Sequence, residues 1–310
     1  MCNIWNAEVH KEMAPSEYSK LPTTLRTLNI SGGEPFLHPD LDEVVRVIHR
    51  RLPRARLVFS TNGLLTEDVV AAIDRYKAFH ESIGVGVSVD CLRDSHERIR
   101  GVEGIFDKAR STIEGLREIG ISDLRIGMTI LPENASDVLE VYRLAKELGV
   151  EFTATFAHNS DVYFKKTDNV QCSPESDSLQ SVSSVVRCQL KSVSPKDWLR
   201  AFHTEGIIDE RIRQSFRGEC LAGRRYFFLS PYGDVFPCSV MDLKLGNITD
   251  VADWNELMTK EVVARTAGIV KGCGLDCWMV CNTRSLIISH PVRSALWVIT
   301  NKLKKGANTS

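Results

Sequence analysis

Nine cysteines stand in 310 residues, and five of them (Cys220, Cys238, Cys273, Cys277 and Cys281) crowd the last third of the chain. The odd total argues against a closed set of disulfides, and thiolates at short spacings are ligands for zinc or for iron–sulfur groups. Cys220 is followed by twelve residues, Gly233, four more residues and Cys238; within that span Ser230-Pro231-Tyr232-Gly233-Asp234 reads as a turn ahead of a short strand. Cys273, Cys277 and Cys281 then recur at four-residue spacing. On a helix this spacing presents thiolates on one side, and in a loop it lets them converge. Two chemistries fit: a structural zinc held by four cysteines, or one [4Fe–4S] cluster. Five thiols are too few for two fully ligated clusters.

A second group of residues lies near the start. Ser31-Gly32-Gly33-Glu34-Pro35 follows a β-branched run directly. Two glycines let a backbone approach a ligand closely, and Glu34 offers a carboxylate to a cationic group. A turn of this kind also serves as a tight structural loop. Upstream of it stands Met1-Cys2-Asn3-Ile4-Trp5, a thiol with an aromatic residue close behind.

The elements that must position these groups can be read from periodicity. Candidate strands are 25–31, 56–61, 83–90, 124–131 and 151–157, with helical patterns between them. Leu41, Val44, Val45, Ile48 and Leu52 mark one helix face, and Asp40 with Glu43 reads as a capping box. The stretch 134–149 ends in Lys146 and Gly149, as a helix C-terminus does. Strands alternating with helices predict an α/β fold with a parallel sheet, as an open doubly wound sheet or as part of a (β/α) barrel, either of which binds ligands at the C-terminal strand ends. Residues 158–195 are Ser-rich and aperiodic until a helical stretch near 196–215, which predicts a junction; a smaller cysteine-bearing module begins at Cys220. An amphipathic helix, about 291–304, carries Trp297 and ends in Lys302, Lys304 and Lys305, basic residues that suit a helix C-terminus.

Taken in order, Cys-Asn-Ile-Trp, a strand ending in SGGEP, a strand ending in Thr61-Asn62-Gly63, and Val87-Ser88-Val89-Asp90 resemble the radical S-adenosylmethionine (SAM) superfamily. In that family a C-x-x-x-C-x-x-C loop holds a [4Fe–4S] cluster with one open iron, which SAM chelates. The resemblance implies a partial (β/α) barrel of the radical SAM type. It also implies roles by position: Cys2 as the third cluster cysteine, Trp5 near the adenine, Gly32, Gly33 and Glu34 at the SAM amino group, and Ser60, Asn62, Ser88 and Asp90 at the rest of SAM. The C-terminal cysteines resemble the SPASM or shorter twitch extension, which implies one auxiliary [4Fe–4S] cluster on Cys220, Cys238 and two of Cys273, Cys277 and Cys281.

The sequence departs from that family in one respect. The first two cysteines of the triad and the first of six barrel strands are absent, which is read as an N-terminal truncation within the motif and predicts a chain inactive in SAM cleavage. The rival reading is a non-catalytic iron–sulfur or zinc-binding protein on a degenerate scaffold. The implied organisation is a barrel over 1–157, a junction with a helix over 158–217, the cluster module over 218–285 and a tail helix over 286–310. The implied substrate is a peptide, a protein or a cofactor precursor, with a flavodoxin- or ferredoxin-type electron donor.

Composition narrows the remainder. Hydrophobic residues make up 43% and charged residues 25%, an ordinary globular balance, and a net charge of −1 implies no nucleic-acid partner. No apolar run reaches the roughly 18 residues of a membrane span and no secretory signal precedes Leu21, which together predict a cytoplasmic location. Cys91 reads as a small core residue, and Cys172, Cys188, His38 and His96 as incidental.

Overall fold

A computed structural model describes residues 2–4, 11–170, 179–275 and 277–307. Its first half is a five-stranded parallel sheet of β1 (Thr27–Ile30), β2 (Arg56–Thr61), β3 (Ile83–Ser88), β4 (Asp123–Ile130) and β5 (Glu151–Phe156), in that spatial order. An order that follows the sequence without reversal has no topological switch point, so the sheet is a barrel segment rather than a doubly wound sheet. All five strands lie within the stretches predicted from periodicity, or one residue outside them.

The helices cover one face. They are α1 (Leu41–Arg51), α2 (Thr66–Lys77), α3 (Arg93–Arg100), α4 (Ile105–Glu118) and α5 (Val138–Glu147). Leu57, Phe59, Val85, Val87, Leu124, Ile126, Met128, Phe152 and Ala154 are buried with Val45, Ile48, Ile73, Ile113 and Val141 in one core. The alternate residues on the other side are Arg56, Ser60, Gly84, Gly86, Ser88, Asp123, Arg125 and Glu151. That is the inner lining of a barrel, polar where helices do not cover it. Its glycines make room: a Cβ on Gly84 would meet the Asp123 carboxylate at 2.5 Å, and Asp123 pairs there with Arg56.

Two local readings need correction. Asp40 does not cap α1 with its side chain. The His38 Nδ1 atom accepts the Asp40 N–H at 3.0 Å, and Glu43 pairs with Arg50, so the Glu43-to-Asp40 half of the expected box is otherwise engaged on both sides. The Ser-rich junction also contains a full helix, α6 (Gln180–Lys191), although residues 171–178, including Cys172, lie outside the described residues. Val182, Val185, Val186 and Leu190 bury one stripe of α6, and that outweighs the weak helix propensity of its serines.

Helices α7 (Pro195–Ile208) and α8 (Glu210–Ser215) follow, then a small antiparallel sheet of β6 (Phe228–Leu229), β7 (Asp234–Phe236) and β8 (Gly246–Asn247). The chain ends in α9 (Trp254–Leu257), α10 (Lys260–Lys271), α11 (Val280–Ser289) and α12 (Pro291–Ala307). Among the described residues no helix is long and apolar enough to cross a membrane.

What joins the two halves is α7. Arg200 on its outer side pairs with Glu151 at the start of β5. His203 is buried, with Nε2 3.0 Å from the Ala154 carbonyl of β5. One turn later Gly206 lets the Trp278 indole lie on the helix, and the indole N–H donates to the His203 carbonyl at 2.8 Å. A Cβ at 206 would stand 2.3 Å from the Trp278 ring, so Gly206→Ala must displace the indole. Overpacking of this kind costs about 1–3 kcal/mol. Chemical denaturation of Gly206→Ala is expected to show a loss in that range, despite the better helix propensity of alanine.

Candidate functional site

Loops leaving β1, β2 and β3 meet at the C-terminal edge of the sheet. After β1, Ser31, Gly32 and Gly33 are exposed, and a Cβ on either glycine would meet nothing within 4 Å. Neither glycine has a positive φ. Fold geometry therefore gives no reason for the pair, and the ground above them is open, as a bound ligand needs. The next residue is occupied. Glu34 accepts Thr61 Oγ1 at 3.0 Å, Asn62 N–H at 2.8 Å and Phe36 N–H at 3.4 Å. Burial nonetheless holds its carboxyl above the ordinary range.

The Thr61-Asn62-Gly63 turn is built against α4. Gly63 has φ +78°, a Cβ there would lie 2.8 Å from Ala109 Cα, and its carbonyl accepts Thr112 Oγ1 at 2.8 Å. The Asn62 side chain accepts the Leu64 N–H at 2.8 Å, so it shapes its own turn. Ser60 donates to Asn29 Oδ1 at 3.2 Å, and Ser88 pairs in register with Gly127, which has no neighbour at its Cβ position. Ser60, Ser88 and Gly127 thus leave the inner lining near the mouth small.

Asp90 is fully buried rather than facing the mouth. Its Oδ1 accepts the Thr129 N–H at 2.8 Å and its Oδ2 lies 2.6 Å from the Arg100 guanidinium. Arg100 lies near enough to Glu34 for its charge to act on that carboxyl, against the effect of burial. Sequence reasoning passed over it, because it stands ten residues beyond Asp90 on a separate helix. Cys91 is 1% exposed and is a core residue, as expected.

Cys2 approaches this edge from the other side. Asn3 N–H donates to the Phe164 carbonyl at 2.8 Å, and the neighbouring Tyr163 hydroxyl shares a hydrogen bond of 2.5 Å with Ser31 Oγ. The Tyr163 phenol also feels Cys2, so Cys2, Tyr163 and the diglycine turn come together. Trp5 lies outside the described residues.

The second group of thiols converges as well. Cys220 follows α8, Cys238 follows β7, Cys273 follows α10, and Cys277 and Cys281 flank the start of α11. Gly233, at φ +86°, turns the chain into β7, with its N–H donating to Ser230 O at 3.1 Å. Burial raises the Cys277 thiol well above its ordinary value, and Cys238, Cys220, Cys281 and Cys273 all add to that. Burial raises Cys238 too, against the Met241 N–H that its sulfur accepts at 3.3 Å. Thiols that raise one another in this way stay protonated until a cation compensates the charge. Among the described residues no three of the His, Cys, Asp or Glu groups are gathered as a single metal ion requires. Two aromatic residues here escaped the sequence reading: Trp278, which anchors the loop between Cys277 and Cys281, and Tyr226, whose hydroxyl is 3.3 Å from Cys220 Sγ. An aromatic inside a cysteine repeat was the available signal for the first.

Both halves match known families. A model of the radical SAM superfamily matches residues 17–145, and one of an iron–sulfur cluster-binding domain, SPASM, matches residues 220–278. The chain thus carries a radical SAM domain followed by a SPASM domain. It is 28% identical over 238 residues to the AdoMet-dependent heme synthase of Methanosarcina barkeri, covering 72% of this chain and 65% of that one. It is 26% identical over 229 residues to the PqqA peptide cyclase of Gluconobacter oxydans, covering 72% and 60%. The chain thus spans less than two thirds of the length of either relative. Streptococcus suis SuiB bound to S-adenosylmethionine shares the fold, with a TM-score of 0.60 at 16% identity over 86% of this chain and 62% of SuiB. The radical SAM domain implies a [4Fe–4S] cluster and SAM, and the SPASM domain implies auxiliary iron–sulfur binding.

The site is also a source of pH sensitivity. His96 is buried beside Asp90, accepts the Asp90 N–H at Nδ1 (3.1 Å), and burial pushes its pKa down to about 4. His203 is likewise pushed down to about 4 by burial. Below the ordinary value of 6.5 the unfolded chain binds protons that these folded imidazoles refuse. Folding stability is therefore expected to hold above about 6.5 and to fall as pH drops from there to about 4. Denaturation midpoints across that window check it, and His203→Gln, which keeps a donor for Ala154 O, should flatten the profile.

Proposed function

We propose that this protein is a radical SAM enzyme that acts on a peptide, a protein or a cofactor precursor and carries one auxiliary [4Fe–4S] cluster. The observation that carries the reading is the meeting of Cys2, Tyr163 and the open Gly32–Gly33 turn at the C-terminal edge of the sheet. A [4Fe–4S] cluster and SAM, when bound, would supply reductive SAM cleavage and hydrogen-atom abstraction from substrate.

The residues of this chain have distinct parts in that reading. Cys2 is the thiol assigned to the SAM-binding cluster. Gly32 and Gly33 leave room for the amino-acid end of SAM beside their backbone, and Glu34 holds the turn to β2. Arg100 is the cation placed to meet the SAM carboxylate, with Asp90 fixing its guanidinium. Ser60, Asn62 and Ser88 line the remaining approach, and Trp5 is assigned to the adenine by the resemblance alone. Four of the five C-terminal thiols ligate the auxiliary cluster, with Cys220 and Cys238 among them. The substrate class is supported by relatives named for a peptide and for a heme product. An external one-electron donor of flavodoxin or ferredoxin type completes the reaction.

Anaerobic reconstitution with iron and sulfide tests the metal half directly. About four irons and four sulfides per chain are expected on the C-terminal thiols, as one [4Fe–4S] group contains. Cys277→Ala combined with Cys281→Ala should abolish that uptake. Equimolar zinc without sulfide would reject the iron–sulfur assignment. Formation of 5′-deoxyadenosine from SAM on reduction tests the catalytic half.

A further inference from the structure

The turn after Cys220 brings a phenol back onto the cysteine it left. Arg224 and Arg225 N–H groups donate to the Leu221 carbonyl at 3.1 and 2.9 Å, and the Gly223 N–H donates to the Tyr226 carbonyl at 2.8 Å. Ala222 and Tyr226 form an isolated β-bridge. Gly223 has φ +72°, and a Cβ there would meet Thr266 at 2.6 Å, so the turn is packed against α10 as well as closed on itself. The backbone of Tyr226 is thus fixed, and its side chain is half-buried with the hydroxyl 3.3 Å from Cys220 Sγ. Cys281 and Cys238, which come from two other segments, lie within electrostatic reach of the same phenol.

We infer that Tyr226 is a positioning residue of the auxiliary centre, donating its hydroxyl hydrogen to the Cys220 sulfur and so raising the reduction potential of the iron–sulfur cluster that this thiolate ligates. The inference rests on the reading of the C-terminal thiols as iron–sulfur ligands. A thiol can donate or accept at this distance, but a thiolate bound to iron has no proton, and the phenol is then the only member of the pair that can donate. A hydrogen bond to a ligating sulfur draws electron density from the cluster and favours the reduced form, which carries one more negative charge. Cys238 has a matching donor in the Met241 N–H at 3.3 Å, so sulfurs from two segments are treated alike, one by backbone and one by side chain.

The discriminating variant is Tyr226→Phe, which removes one oxygen and keeps the ring. The experiment is an EPR-monitored redox titration of the reconstituted protein, paired with iron and sulfide counts and the thermal unfolding midpoint. Iron, sulfide and the midpoint are expected to match the parent, while the auxiliary signal titrates at a more negative potential and its reduced fraction at a fixed potential falls severalfold. Exchange into D2O should shift an Fe–S stretch in the resonance Raman spectrum of the parent, and that shift should shrink in the variant. An intact cluster with unchanged potential would overturn the inference and leave the iron–sulfur reading standing. Loss of iron in Tyr226→Phe would overturn it differently, by making the phenol oxygen a ligand. A parent protein that takes up no iron and sulfide would remove the underlying reading itself.

Discussion

The indole of Trp278 is where the two halves of this molecule are held in register. Its N–H is bonded to the carbonyl of His203, and that histidine is bonded in turn to the Ala154 carbonyl of β5, so one line of hydrogen bonds runs from the barrel sheet to the cysteine loop. The indole also packs edge-on against Phe202 and beside Phe216, on a helix face cleared for it by Gly206. Cys277 precedes this anchor and Cys281 follows it by three residues. Two of the candidate ligands are consequently fixed relative to the sheet by an interaction that involves no thiol. Any centre they hold keeps a set orientation toward the barrel mouth.

The mouth has its own unequal division of labour. Glu34, Asn62 and Asp90 are all polar residues that a sequence reading assigns to a ligand, and all three spend hydrogen-bonding capacity on the loops themselves. What remains open is backbone and space: two glycines without steric neighbours, small residues on the inner lining, and the Arg100 head held by a buried carboxylate. That division is physically reasonable. A cofactor with a fixed amino-acid end is gripped best by rigid backbone, and rigidity comes from satisfying the side chains internally.

Legibility in the sequence followed the range of the interactions. The strands could be read from their own β-branched and apolar residues, with the strict alternation of Leu124, Ile126, Met128 and Ile130 in β4 as the plainest case. The first helix could be read for the same reason, but its cap could not, since a His38 ring two residues away competes for the same N–H. Helix α6 was hidden by serine content, although its valines had the right spacing. In the site, Cys220, Cys238 and the late cysteines announced themselves by type and spacing. Arg100, Tyr163 and Tyr226 did not, because each acts on a partner whose proximity only the fold creates: Asp90 from the far end of the helix that follows it, Ser31 across 132 residues, and Cys220 across a closed loop.

The C-terminal module poses a problem that its own packing does not solve. Its sheet has strands of two, three and two residues, far below the length at which three strands gain stability alone. Its interior holds thiols whose partial burial already disfavours their charged forms and whose mutual proximity makes multiple deprotonation worse. Docking on α7 through Trp278 fixes one end of the module but leaves the Cys220–Cys238 end to its turns. A cation that accepts several thiolates reverses the sign of this cost. Each deprotonated sulfur becomes a bond instead of a repulsion, and the metal term adds directly to folding free energy because no such site exists in the unfolded chain. Thiols spread over three segments around so small a sheet are what a domain would show if a bound centre contributed to its core.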